Sequence, residues 1–133
     1  MNVISQNTHL KASEKFIGKV ISIEKTKAIV QLKITDEMVV DNFGLSHGSF
    51  TFGLADYAAM VLINKPNVVL GKAEVKFIKP TVLGNILEAT AVYKEQINEV
   101  KSVIEVSVLN EDNVKVFEGE FVCFSLENHV LKK

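Results

Sequence analysis

The chain has 133 residues, 47% of them hydrophobic, and its 15 basic and 16 acidic side chains give a formal charge of −1. This length and apolar content suit one domain with a single core, and the balanced charge excludes the basic surface that nucleic acid or an anionic membrane would require. One cysteine, Cys123, excludes an internal disulfide, and the N-terminal residues lack the apolar core of a signal peptide. We therefore expect a cytoplasmic protein with residues 1–133 in one domain.

The first third of the chain predicts an extension, two strands and a loop. Residues 1–15 are taken as an N-terminal extension, of which residues 5–15 are polar, with a short helix as one option for that part. Apolar residues then alternate loosely over Phe16–Glu24 and strictly over Ala28–Ile34, which predicts two strands joined by a turn. Thr35–Ser46 is expected to be a loop.

Residues 47–64, HGSFTFGLADYAAMVLIN, are predicted to form the central helix, which the following Lys-Pro ends. The pattern leaves no polar face after His47, so a buried helix is expected, and the run is too short and interrupted for a membrane span. Asp56 is the only side chain between Gly48 and Asn64 that is ordinarily charged at neutral pH. A carboxylate in an apolar core is costly unless it is paired or hydrogen-bonded, so Asp56 is either a functional group or a cap for a neighbouring element.

Four later segments alternate between apolar and polar residues, and short polar stretches connect them. They are Gly71–Pro80, Gly84–Glu95, Ile104–Val108 and Val116–Ser125. We expect these four strands to form an antiparallel meander. With the first two strands they predict an α+β fold in which one antiparallel sheet wraps around one long central helix.

The start of the central helix carries a second functional signal. Small residues lead into it at Gly44, Ser46, Gly48 and Ser49, with His47 among them. The first turn of a helix presents N–H groups that lack intrahelical partners, together with the positive end of the helix dipole. Such a terminus is suited to holding an oxyanion or a polarised carbonyl.

Three motifs together resemble the hotdog-fold acyl-CoA thioesterases of the phenylacetate-pathway type. They are Gly44-Leu45-Ser46-His47-Gly48-Ser49, Leu54-Ala55-Asp56, and Lys76-Phe77-Ile78-Lys79-Pro80 followed by Gly84. The resemblance covers roughly Phe16 to Leu126. It implies a hotdog fold and an acyl thioester substrate, with coenzyme A as part of that substrate. It implies no separate cofactor, and the scattered histidines offer no metal-binding spacing.

The resemblance also implies roles for three residues. The Gly48 N–H would donate to the thioester carbonyl, and Asp56 would be the nucleophile or the general base that activates water. His47 would shape the loop before the helix and orient the thioester. The alternative for His47 is a histidine whose ring nitrogens are satisfied locally at the start of the helix.

Four further residues are candidates for substrate contact. Ser49 replaces the second glycine of the family's motif and keeps its N–H, while many relatives have an asparagine at the position of Asp41, with Asn42 beside it here. Phe50 and Phe77 are expected to be core residues first and to line an acyl pocket second.

Helix geometry adds an expectation about assembly. Gly48 and Asp56 are eight residues apart, so they lie about 12 Å apart along a helix axis. They cannot both act on one thioester carbonyl from the same chain. If both act, the site must be composite across a two-fold axis, which agrees with the side-by-side dimer that the resemblance implies. A homodimer is expected, and a homotetramer stays open.

Two other functions stay open. Phe16–Asn42 and Val116–Ser125 also resemble the effector domain of a malonyl-CoA-sensing transcription factor, which implies an acyl-CoA-binding protein without catalysis. Such sensors carry no acid at the position of Asp56. The third function is a dehydratase of acyl thioesters, but those hotdog enzymes usually place a catalytic histidine in the central helix, and none follows His47 there.

Overall fold

The computed structural model describes residues 4–132, which contain six strands and one α-helix. In chain order these are β1 (Lys19–Ile23), β2 (Lys27–Lys33), α1 (Gly48–Ile63), β3 (Val68–Phe77), β4 (Ile86–Gln96), β5 (Lys101–Leu109) and β6 (Lys115–Ser125), with a 3-10 turn at Asp36–Met38. All six strands belong to one antiparallel sheet that packs on the helix. The predicted α+β architecture is confirmed. Within the described residues, no helix combines the length and apolar character needed to cross a bilayer.

Local signals at both ends fix the length of α1. His47 precedes the helix with extended backbone, and its side chain accepts the Ser49 N–H. At the other end Asn64 adopts the left-handed conformation, with φ of 57°, and its N–H bonds to the Met60 carbonyl. Asparagine tolerates this conformation better than most residues, and the proline two positions later cannot continue the helix. The predicted helix over 47–64 is therefore confirmed, with its first and last residues acting as caps.

The strand order is β1-β2-β4-β5-β6-β3, which differs from the predicted meander. The meander is right for β4, β5 and β6 but wrong for β3, which pairs with β6 at the far edge of the sheet while β4 pairs with β2. The helix is long enough to carry the chain from β2 to the opposite edge of the sheet. Its 16 residues span about 24 Å, whereas β2 and β3 are four strand spacings, or about 19 Å, apart.

The core lies between α1 and one face of the sheet. Strand residues alternate as expected, with Ile104, Val106 and Val108 buried and Glu105 exposed between them. Ten of the sixteen helix residues are buried. The expectation of a helix buried on every side is wrong along one stripe, which we call the open stripe.

The open stripe consists of Ser49, which is exposed, and of Phe52, Gly53 and Asp56, which are half-buried. These positions follow one another at three- and four-residue spacing, so they line one side of the helix. Because the sheet covers the other sides of α1, this stripe is where a ligand or a second chain can reach Asp56.

The N-terminal extension crosses the C-terminal end of α1 without forming the helix considered for residues 5–15. Turns and bends occupy that segment instead. Asn64 Oδ1 accepts the Asn7 N–H at 2.7 Å, and Gln6 Nε2 donates to the Tyr57 hydroxyl at 2.8 Å. These contacts attach the extension to the helix and leave the open stripe uncovered.

Candidate active site

The first turn of α1 presents one available backbone donor. The His47 N–H donates to the Met38 carbonyl at 3.0 Å, which fixes the loop before the helix. The Ser49 N–H donates to His47 Nδ1 at 3.0 Å. The Gly48 N–H has no hydrogen-bond partner among residues 4–132. The positive end of the helix therefore carries a donor that a substrate oxygen can use.

His47 serves as the cap of this helix. Its Nδ1 accepts a backbone N–H, so the neutral ring carries its proton on Nε2. One ring nitrogen of His47 is therefore satisfied locally and shapes the helix start, whereas Nε2 has no hydrogen-bond partner among residues 4–132. An additional role in orienting the thioester stays a prediction.

A cavity of about 140 Å³ lies beside Gly48. Its walls come from the start of α1, the end of β3 and the segment that follows: Ser46, Gly48, Thr51, Phe77, residues 78–80, Thr81 and Val116. A Cβ on Gly48 would come within 3.2 Å of the Phe77 ring, so glycine allows this close approach. Phe77 is 54% exposed, which makes its interpretation as a core residue wrong. It ends a strand at the sheet edge and forms a wall of the cavity.

Asp56 lies two turns further along α1, in the open stripe. One of its carboxylate oxygens, Oδ1, is buried and has no hydrogen-bond partner in the described part of the chain. Burial raises the pKa of Asp56 to about 6. The neighbouring Cys123 thiol has its pKa raised to about 12, by its own burial first and by the negative charge of Asp56 second. A carboxyl group with these properties suits proton transfer near neutral pH.

Gly48 and Asp56 do not meet in one chain. Both lie on α1, about 12 Å apart along its axis, and Asp56 is not among the residues that line the cavity beside Gly48.

Cys123 is 1% exposed and packs in the core, as its alternation with Phe121 predicts.

Asp41 and Asn42 occupy the turn that precedes the helix. Asp41 Oδ1 accepts the N–H groups of Phe43 and Leu45, at 2.9 and 3.1 Å, and so builds the turn itself. Asn42 is exposed within this turn and does not line the cavity. The carboxylate of Asp41 thus has a structural task, and substrate contact by Asn42 stays a prediction.

Ser49 and Phe50 also lie outside the cavity lining. Ser49 is exposed at the start of the open stripe. Phe50 is half-buried and packs against Phe16, with ring centroids 6.3 Å apart. Contact of these two residues with substrate stays a prediction.

Three buried hydroxyl residues line the cavity. From the sequence, Ser46 was identified only as a small residue before the helix, and Thr51 and Thr81 were missed. Ser46, Thr51 and Thr81 are 6%, 2% and 5% exposed, and all three line the cavity. Thr51 carries a signal that could have been used, because it interrupts an otherwise apolar helix. Thr81 carries none, since a threonine after a strand is ordinary in a loop.

A larger concavity, of about 460 Å³, lies on the sheet face that points away from the helix. Glu74, Glu120 and Glu105 stand opposite one another across three adjacent strands there. Lys94 pairs with Glu120 and lies 4.0 Å from Glu105. Glu74 has no ion pair among the described residues, and the side chains of Lys94, Glu105 and Glu120 are 39–54% exposed. Solvated charges of this kind are typical of an exposed sheet face, so the candidate site remains at α1.

The chain is similar to two solved structures over almost its whole length, while no family model matches it. The uncharacterized protein PH1136 from Pyrococcus horikoshii is 48% identical, with a TM-score of 0.95 over 99% of this chain and 100% of that one. Cj0977, a sigma28-regulated virulence protein from Campylobacter jejuni, is 30% identical, with a TM-score of 0.90 over 95% and 96%.

Curated relatives are matched over only part of their length. The chain is 42% identical to the methylthioribose-1-phosphate isomerase of Aquifex aeolicus over 86% of its own length but 25% of that protein. It is 31% identical to the transcription factor FapR of Oceanobacillus iheyensis over 86% of its own length and 60% of that protein. Because the chain spans a quarter and about three fifths of these proteins, their activities are not carried over to it.

More distant structures share the fold. PaaI from the phenylacetic acid degradation operon of E. coli is 23% identical, with a TM-score of 0.76 over 84% of this chain and 80% of that one. A hypothetical thioesterase from Streptococcus pneumoniae was solved with coenzyme A and is 18% identical, with a TM-score of 0.72 over 84% and 87%. Smu.793 from Streptococcus mutans was solved bound to acetyl CoA and is 22% identical, with a TM-score of 0.77 over 92% and 99%. The predicted hotdog fold is confirmed, whereas the phenylacetate-pathway type is not.

Proposed function

We infer the function of this chain from the hotdog-fold family to which it belongs, that of PH1136 and Cj0977, and from the site on α1. The proposed reaction is hydrolysis of an acyl-CoA thioester to a free acid and coenzyme A. The observation that carries it is Asp56, a carboxylate with a raised pKa and a buried oxygen that has no hydrogen-bond partner among the described residues. The coenzyme A and acetyl CoA bound by neighbours of the same fold support the substrate class.

In the proposed mechanism, the Gly48 N–H donates to the thioester carbonyl oxygen and stabilises the negative charge that develops there. Asp56 removes a proton from water, whose oxygen bonds to the carbonyl carbon as the carbon–sulfur bond breaks. The proton then passes to the leaving thiolate. Direct attack by the Asp56 carboxylate, followed by hydrolysis of the resulting anhydride, uses the same two groups.

The proposed site is composite, in a homodimer or homotetramer. Gly48 of one subunit faces Asp56 of the partner subunit, because one helix keeps its own two groups too far apart to share a carbonyl. The open stripe supports this arrangement. A second chain over that stripe would exclude water from the carboxylate and cover Ser49, which is exposed in a single chain.

The second candidate is a non-catalytic protein that binds acyl-CoA on the same fold. The 31% identity to the transcription factor FapR favours it, since the matched proteins are regulators by name. Hydrolase and binding protein differ in what happens to the bound thioester.

A panel of short, long and aromatic acyl-CoAs separates the two functions. The hydrolase should release free thiol in many turnovers from at least one of them, measured with a thiol reagent. A binding protein should take up one equivalent by calorimetry and return it intact. Binding without thiol release across the panel would contradict the hydrolase and favour the second candidate.

The pH dependence of hydrolysis should follow Asp56. The ionised carboxylate is the active form and its pKa is raised to about 6, so kcat/KM should be flat above pH 6 and fall about tenfold per pH unit below it. Loss of the thioester absorbance measures this without depending on thiol ionisation. A profile still flat at pH 4.5 would show that Asp56 titrates at its ordinary value or takes no part.

A further inference from the structure

The inner end of the cavity beside Gly48 holds more hydrogen-bonding capacity than it uses. Thr51 Oγ1 and Thr81 Oγ1 are 3.4 Å apart, longer than the 2.5–3.0 Å usual for a hydroxyl hydrogen bond. Among residues 4–132, the hydrogen-bond partner of Ser46 Oγ is the carbonyl of His47, at 3.2 Å. Each hydroxyl can donate once and accept twice, and all three residues are more than nine-tenths buried. Buried polar groups this poorly bonded point to a polar ligand between them.

The shape of the cavity decides which part of a thioester it can take. Two arms extend from the thioester carbonyl carbon. One is the carbon chain of the acyl group, and the other is the sulfur-linked pantetheine of coenzyme A. The pantetheine arm ends in a highly charged nucleotide, which must remain in water. Ser46, Thr51 and Thr81 are the buried part of the lining, whereas Phe77 is half exposed, so the cavity deepens towards the hydroxyls. An arm that ends at these buried hydroxyls suits the cavity, and that arm is the acyl chain.

We propose that this cavity is the acyl subsite and that Thr51 and Thr81 select short acyl groups bearing a hydroxyl or carbonyl oxygen. This rests on the proposed hydrolysis, in which Gly48 holds the carbonyl at the mouth of the same cavity. Phe77 and Val116 supply apolar walls for the carbon chain. The volume of about 140 Å³ resembles the ~150 Å³ cavity that accommodates benzene, so about six non-hydrogen atoms fit.

The test compares 3-hydroxybutanoyl-CoA, butanoyl-CoA and decanoyl-CoA. The wild-type chain should hydrolyse the hydroxyacyl thioester with a kcat/KM about tenfold above that of butanoyl-CoA, because the unsubstituted chain leaves the threonine hydroxyls unpaired. Decanoyl-CoA should be the poorest of the three, since its chain exceeds the cavity. Thr51→Val and Thr81→Val keep the side-chain shape and should each lower the ratio of kcat/KM for 3-hydroxybutanoyl-CoA to kcat/KM for butanoyl-CoA from about ten towards one.

Two further variants control for packing. Thr51→Ser retains the hydroxyl and should keep the preference. Thr35→Val removes another buried hydroxyl, which has no partner among the described residues and does not line the cavity, and should leave the preference unchanged.

The outcomes separate this proposal from the proposed function. Hydrolysis at equal rates for the matched pair, unaffected by Thr51→Val, would overturn the subsite and assign the hydroxyls to bound water. If no acyl-CoA is hydrolysed, the proposed function fails. Calorimetric affinities for the same pair then test the subsite, with equal affinities overturning it and a loss of discrimination in Thr51→Val supporting it.

Discussion

Asp56→Asn should abolish turnover in a chain that still folds, lowering kcat by about 10²–10⁴-fold as expected for the loss of a general base. Asparagine is nearly isosteric with aspartate, so the packing of α1 should survive while the proton-accepting oxygen is lost. The measurement is thiol release from the best substrate of the acyl-CoA panel. A variant as fast as the wild type would make Asp56 a structural carboxylate.

The stability of the same variant provides an internal control. The folded-state pKa of Asp56 is raised from 3.8 to about 6, so the folded state binds more protons than the unfolded state between these values. Ionised Asp56 therefore destabilises the fold, by at most about 3 kcal/mol above pH 6, and this penalty is absent below pH 3.8. Asp56→Asn should raise the melting temperature at pH 7.5 and change it little at pH 3.5. A lower melting temperature at pH 7.5 would indicate that the carboxylate stabilises the fold.

Subunit mixing should reveal the composite site. Gly48→Pro removes the proposed oxyanion donor, and proline is tolerated at the first position of a helix. Gly48 does not have the positive φ that proline cannot adopt, and His47 before it has the extended backbone that a following proline requires. Gly48→Pro and Asp56→Asn should each be inactive. Refolded together in equal amounts, they should recover ~25% of wild-type activity, because each mixed dimer has one site with both native groups.

Gly48→Ala is the matched control for this experiment. It adds the same Cβ, 3.2 Å from the exposed Phe77 ring, but keeps the backbone N–H. It should retain most activity if the donor matters and lose activity if the Cβ alone disturbs the cavity. No recovery in the mixture, despite subunit exchange seen by native mass spectrometry, would contradict a site shared between subunits.

Most of the fold follows from patterns that can be read locally. The central helix, its end at Asn64 and the alternation of strands such as β5 are each encoded within a few residues. The position of β3 in the sheet is not encoded locally, because a strand with the alternation of β3 could pair equally well with β4 or with β6. Long-range pairing depends on how far the helix carries the chain, and periodicity alone holds no such information.

The candidate site likewise contains some residues that can be predicted from the sequence and others that cannot. Asp56 could be identified in the sequence because a lone acid in an apolar helix is costly, and Gly48 because of the small residues around a helix start. The prediction that Phe77 is a core residue is wrong because an aromatic residue at the end of an edge strand has the same alternating sequence pattern as one in the core. Thr51 and Thr81 are thirty residues apart in sequence, and their hydroxyls approach each other only when β3 is paired at the edge of the sheet.

The edge position of β3 also constrains the order of folding. Val68, at its start, pairs with Ser125 near the end of the chain, and its whole length depends on β6 for a neighbour within the described residues. Because β3 precedes β6 in the chain, β3 lacks its strand partner until β6 has been synthesised. The charged side chains of Lys72, Glu74 and Lys76 favour solvation of an unpaired strand over its aggregation. The wall that Phe77 contributes to the cavity therefore depends on pairing between strands that are distant in sequence, with Phe77 itself opposite Phe117.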